Sequence, residues 1–244
     1  MTEATLDGLA SEFADKLTAL TRGVLGQDAP RFHAIELVED RRVRVQPIED
    51  DRVVRDIPVA VGGVHRIDLR VSYDCCWDGS SRFLAADKSE FKVYYKNVAD
   101  PLFRFEYERK ASVLPGAHIH VHAHRDEVAY LLRLSEAGRP GSKLKRDRLP
   151  RSSELHLPVG GHRMRPSLED VLLFLVREFA IDTAAGWEKV LGVHVQDWRV
   201  TQLKAAVRDA PDAAVEVLKD LGYTIEPPVI PAPRSSSTAK LYLP

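Results

Sequence analysis

The chain has 244 residues, a formal net charge of −1, 44% hydrophobic and 29% charged residues. That length admits one large domain or two small ones, and the hydrophobic share is enough for a core. Apolar runs no longer than Val171 to Val176 exclude a helix that spans a bilayer, and the near-zero net charge gives no global signature for nucleic acid.

The start, Met-Thr-Glu-Ala-Thr-Leu-Asp, lacks a basic region followed by an apolar stretch, so no signal peptide is expected. The two cysteines, Cys75 and Cys76, are adjacent. On a strand they point to opposite faces, which disfavours a disulfide and fits a reducing, cytoplasmic compartment.

Leu6, Leu9, Phe13, Leu17, Leu20 and Val24 recur at helical spacing, so residues 1–30 are read as a helix that packs on the chain's own sheet and ends at Gly23 and Gly26. From about residue 33 the period changes to two. His33 to Val45 and Arg52 to Val59 are expected strands around the turn-like Gln46 to Asp50. Val64 to Tyr73 alternates more cleanly, and a loop is expected from Asp74 to Ser81. Phe91, Val93 and Tyr95, then Phe103, Phe105 and Tyr107, then Ala117, Ile119, Val121 and Ala123 continue the alternation. Residues 31–165 therefore read as a largely antiparallel sheet with one buried and one polar face.

Residues 135–153 are expected to be a long mobile loop, followed by a short strand from Glu154 to Leu157. Ser167 and Asp170 resemble a capping box that opens a helix at Leu168. Trp187 to Leu191, Trp198 to Val207 and Asp212 to Leu221 read as further helix, with Gly222 as C-cap of the last. Residues 166–225 thus form a C-terminal helical region, and the Pro- and Ser-rich 226–244 an extended tail. The fold class is α+β.

Chemistry concentrates in Ala117-His118-Ile119-His120-Val121-His122-Ala123-His124. An extended backbone places these four imidazoles on one face, successive members about 7 Å apart. Histidines at i and i+2 suit metal ligation or acid–base work near neutral pH. If 102–109 and 117–124 form a hairpin, Arg104, Glu106 and Glu108 share that face, and a carboxylate beside a histidine would raise its pKa and fix its tautomer. The register depends on the turn near Pro115-Gly116 and is open at this stage.

A second candidate is anionic. Between Arg139 and Arg165 eight basic residues face only Asp147 and Glu154, a local excess of six positive charges. Gly160-Gly161 followed by His162, Arg163 and Arg165, just before a helix, would make an anion site, with Arg148 from the loop.

Two resemblances arise at these residues. His120-x-His122, Glu127, Pro158-x-Gly160 and His162 resemble the two metal motifs of cupins. That resemblance implies a divalent metal, and the strand itself offers His120, His122 and His124 as candidate ligands. The chain departs from it: Leu114 and Leu134 stand where glycines belong, and His162 falls one residue early. The segments Phe103 to Tyr107, His118 to Arg125 and Leu155 to Asp170 together resemble an uncharacterised family of actinobacterial proteins, over roughly residues 60–225. Residues 103–124 are also similar to small toxins of toxin–antitoxin modules.

Three functions follow as expectations. The first is a toxin–antitoxin-like or defence protein acting on RNA or another phosphate ester, with His118, His120, His122 and Glu106 catalytic and Arg163 and Arg165 stabilising developing charge. The second is a metal-dependent enzyme or sensor. The third is a non-catalytic adaptor for a protein partner encoded nearby. P-loop and Gly-x-Ser-x-Gly signatures are absent.

Overall fold

A computed structural model describes residues 5–37, 42–49, 53–112, 114–122, 157–158, 163–226 and 229. The expected loop 135–153, most of the tail, and His124, Arg148 and His162 lie outside the described residues. No helix among the described residues is long and apolar enough to cross a membrane.

Helix α1 (Leu6–Leu25) starts at Thr5, whose hydroxyl accepts from the Gly8 amide, and ends at Gly26 with φ 109°. Gly23 does not end it, contrary to the sequence reading. It sits within the helix where Val190 passes so close that an added Cβ would lie 2.6 Å from Val190 Cγ1.

The strands are β1 (Phe32–Leu37), β2 (Arg42–Pro47), β3 (Ile57–Val61), β4 (Val64–Trp77), β5 (Leu84–Tyr95), β6 (Phe103–Glu108), β7 (Ala117–Val121) and β8 (Leu157–Pro158). They form one sheet in the order β1-β2-β4-β5-β6-β7-β8, with β3 also paired to β4. Every one of these pairings is antiparallel. The 14-residue β4 carries β5 on one edge and shares the other between β3 at its start and β2 near its end.

Two strand expectations change. His33 to Val45 is a hairpin of β1 and β2 rather than one strand. The expected loop from Asp74 begins only after Trp77, because a bulge at Asp74/Cys75 lets Cys75, Cys76 and Trp77 pair with Ala86, Ala85 and Leu84. Both cysteines are free. Cys75 is buried, and burial pushes its thiol up to about 12.

Helix α2 (Leu168–Phe179) opens with the expected capping box: the Asp170 amide donates to the Ser167 hydroxyl, and the Ser167 amide donates to the Asp170 carboxylate. The two later helical segments are one continuous α3 (Trp187–Asp209), followed by α4 (Pro211–Asp220).

The helices define which face is buried. On the face carrying Val71, Tyr73, Phe91, Val93, Phe103, Phe105 and Tyr107, Phe13 of α1 meets Tyr73 at 5.0 Å between ring centroids, and Phe174 of α2 meets Phe103 at 5.3 Å. Leu17, Leu20 and Val24 of α1 join Leu168, Val171, Leu172 and Leu175 of α2 in the same cluster. The other face carries the alternating polar residues of β4 to β7.

Candidate metal centre on the β6–β7 hairpin

Pairing of β6 with β7 sets Glu106 opposite His118 and Arg104 opposite His120. Directly paired residues share a face, so Arg104 and Glu106 do join the histidines. Two cross-strand rows result. Ser72, Glu90, Glu106 and His118 form one, and Arg70, Lys92, Arg104 and His120 form the next.

The histidines differ from a wet polar face in one respect. His118 is 5% and His120 3% exposed. Burying imidazoles is costly unless their nitrogens find partners. His118 Nδ1 lies 2.8 Å from the Pro115 carbonyl oxygen. A carbonyl only accepts, so Nδ1 carries a proton and donates. His118 Nε2 then stands 3.1 Å from Glu106 Oε2, and His120 Nε2 stands 3.2 Å from the same oxygen. The two rings meet edge to face, with centroids 5.0 Å apart. Burial pushes the Glu106 carboxyl up, but Arg104 and the two histidines outweigh it and hold it below the ordinary carboxylate range.

One donor atom from each of Glu106, His118 and His120 lies within 4.8 Å of the others. Metal bonds of about 2.0–2.2 Å separate neighbouring ligand atoms by about 3.0 Å at right angles and about 3.4 Å at the tetrahedral angle. The separations of 3.1 and 3.2 Å fall between those limits. The Nδ1 donation from His118 to a backbone carbonyl leaves Nε2 as the ring nitrogen that could ligate a metal.

Among the described residues the set that converges is Glu106, His118 and His120; of the expected ligands His120 belongs to it, and His124 lies outside the described residues. β7 ends at Val121, and His122 follows it, its amide donating to the Leu102 carbonyl at 3.1 Å. His122 Nε2 is buried without a hydrogen-bond partner. Burial, then the Arg104 charge, lowers the pKa of His122 despite Asp100 and Glu106.

Of the expected anion site, Arg148 and His162 lie outside the described residues, and Arg163 and Arg165 each meet other groups. Arg163 Nε donates to Asp209 at 2.5 Å, at the far end of α3. The buried Arg165 guanidinium lies between Tyr107, 4.1 Å from its ring centroid, and Trp198, at 5.0 Å. Tyr107 pairs with Ala117, so this stack occupies the helix-covered face and the histidines occupy the opposite one. Sequence reasoning missed Pro115, Trp198 and Asp209 as partners. The first is a backbone carbonyl, and the others lie 33 and 46 positions from the arginines they meet, with no local signal.

Comparison with protein-family models, curated proteins and solved structures returned no match. The functional reading therefore rests on the chemistry of the hairpin.

Proposed function

We propose that the β6–β7 hairpin is a divalent metal centre in which Glu106, His118 and His120 are the protein ligands. The observation that supports it is the meeting of two buried imidazole Nε2 atoms at one carboxylate oxygen, with His118 oriented by the Pro115 carbonyl. Two imidazoles and a carboxylate suit zinc or ferrous iron. Three protein ligands leave positions open for water or a substrate, the arrangement of a catalytic or sensing centre rather than a closed structural one. Elemental analysis of the full chain, purified without a polyhistidine tag and dialysed against a metal-free buffer, tests this. About one equivalent of a transition metal is expected, and it falls several-fold in His118→Ala. Metal content far below one equivalent after reconstitution with zinc and with ferrous iron rejects it.

A second reading keeps the same three side chains without a metal. The Glu106–His118 pair favours an acid–base site acting on RNA or another phosphate ester, as in a toxin–antitoxin or defence protein. Arg165 lies on the opposite face against Tyr107 and Trp198, and Arg163 is held by Asp209. Absence of RNA binding at low salt would count against this reading. A protein partner, the third expectation, draws support from exposed Val200, Leu203 and Val207 on α3 and Val217 and Leu221 on α4 or beside it. Co-purification with products of neighbouring genes tests it.

A further inference from the structure

Beside the three ligands, two buried nitrogens have no hydrogen-bond partner: Arg104 Nε and His122 Nε2. Native structures rarely leave such groups unsatisfied, and each one calls for a ligand, an ion or a water. The two residues are diagonal neighbours on the same face, since Arg104 pairs with His120 and the His122 amide bonds to Leu102.

The charge balance around them is uneven. In the row Arg70, Lys92, Arg104 and His120, Arg70 is held by both oxygens of Asp56 at 2.8 and 2.7 Å. Lys92 is held by Glu90 at 2.8 Å. Arg104 reaches only Glu106 Oε1, at 3.5 Å, while the other oxygen of that carboxylate faces the two imidazoles. Arg104 is thus the cation in this row whose ion pair is longest. The groups that would face an incoming ligand are Arg104, His122, His120, His118 and Glu106 on the hairpin and Lys92 and Glu90 on β5, with Asp100 also acting on His122.

We infer that the centre takes a small oxyanion, one oxygen directed at the metal and another held by Arg104 Nε and His122 Nε2. This rests on the metal reading for the first contact but not for the second. A guanidinium Nε–H only donates, and His122 Nε2 donates in its Nε2–H tautomer, so the pair in that state matches a carboxylate or phosphate and mismatches a cation. A neutral ligand would leave the Arg104 charge as poorly balanced as before, which sets the substrate class as anionic.

Calorimetric titration of malonate and of inorganic phosphate into zinc-loaded and metal-free full-length protein tests the inference. At least one of the two binds the parent protein. Arg104→Gln weakens that binding about tenfold or more, the loss of one charge-assisted hydrogen bond, while the zinc content stays at that of the parent. Malonate preference identifies a carboxylate and phosphate preference a phosphate ester. Neither anion binding in either state, or Arg104→Gln binding as tightly as the parent, overturns the inference. Failure of zinc to bind would reject the ligand set alone, since Arg104-dependent anion binding to the metal-free protein still decides this point. If Arg104→Gln loses its native circular dichroism, His122→Gln is judged by the same criterion.

Discussion

Glu106→Gln separates the metal centre from a plain hydrogen-bonded pair. The substitution keeps shape and an acceptor oxygen but removes the charge and the ligating carboxylate. In metal-free protein it weakens contacts to His118 at 3.1 Å, to His120 at 3.2 Å and to Arg104 at 3.5 Å. Hydrogen bonds to charged groups contribute about 1.5–3 kcal/mol each. The Gln amide recovers part of this, and a partly exposed carboxylate is screened. The net loss is therefore about 1–2 kcal/mol, and Tm falls by about 2–8 °C at 2–4 °C per kcal/mol. Zinc supplied at a hundredfold excess over its Kd stabilises the parent by about 2.7 kcal/mol, or about 5–11 °C. A hundredfold loss of affinity in Glu106→Gln reduces that rise to about 0.4 kcal/mol. Differential scanning calorimetry of both proteins, with and without zinc, reads all four values. An equal zinc-induced rise in the two proteins would refute the assignment of Glu106 as a ligand.

Arg165→Met keeps the aliphatic stem and removes the charge from between Tyr107 and Trp198. A desolvated cation–π contact contributes about 2 kcal/mol, so urea denaturation should show a loss of about 2–4 kcal/mol, with malonate and phosphate affinity unchanged. Gly23→Ala places a methyl 2.6 Å from Val190 Cγ1. Overpacking costs about 1–3 kcal/mol against about 1 kcal/mol of helix propensity gained, so a lower Tm is expected, partly restored by the double variant Gly23→Ala/Val190→Ala. Burial raises the pKa of Glu169 in the folded state. The folded state therefore binds that proton more tightly than the unfolded chain, and the penalty of the charged form grows as pH rises above about 4.3. Glu169→Gln should raise Tm at pH 7, and the advantage should vanish near pH 4; an advantage independent of pH would reject the cause.

Much of the architecture was legible because period-two alternation and helix caps are local. Ser167 and Asp170 are three residues apart, and their bonds form as read. The start of β5 was not, since Leu84-Ala85-Ala86-Asp87 carries little contrast between faces and pairs only through the bulge in β4. α3 was split in two because Gly192 and the polar His194, Gln196 and Asp197 interrupt its apolar spacing, although the backbone continues through them. At the site, the shared face of His118 and His120 followed from strand geometry. That Glu106 stands opposite His118 did not, because the turn fixes the register. Nor did the burial of both imidazoles, which alternation alone assigns to solvent. The partners of Arg163 and Arg165, an acid and two aromatic rings, arise from tertiary packing and leave no local signal.

Parity along the β6–β7 hairpin gives the two surfaces of the sheet separate duties. Phe103, Phe105, Tyr107 and Ala117 point to the helix-backed face, and Arg104, Glu106, His118 and His120 to the opposite one. Paired changes drawn from opposite faces alter side chains that project away from one another, so coupling between them runs through the shared backbone alone. The hairpin can thus be given a different coordination chemistry, one even position at a time, on an unaltered scaffold.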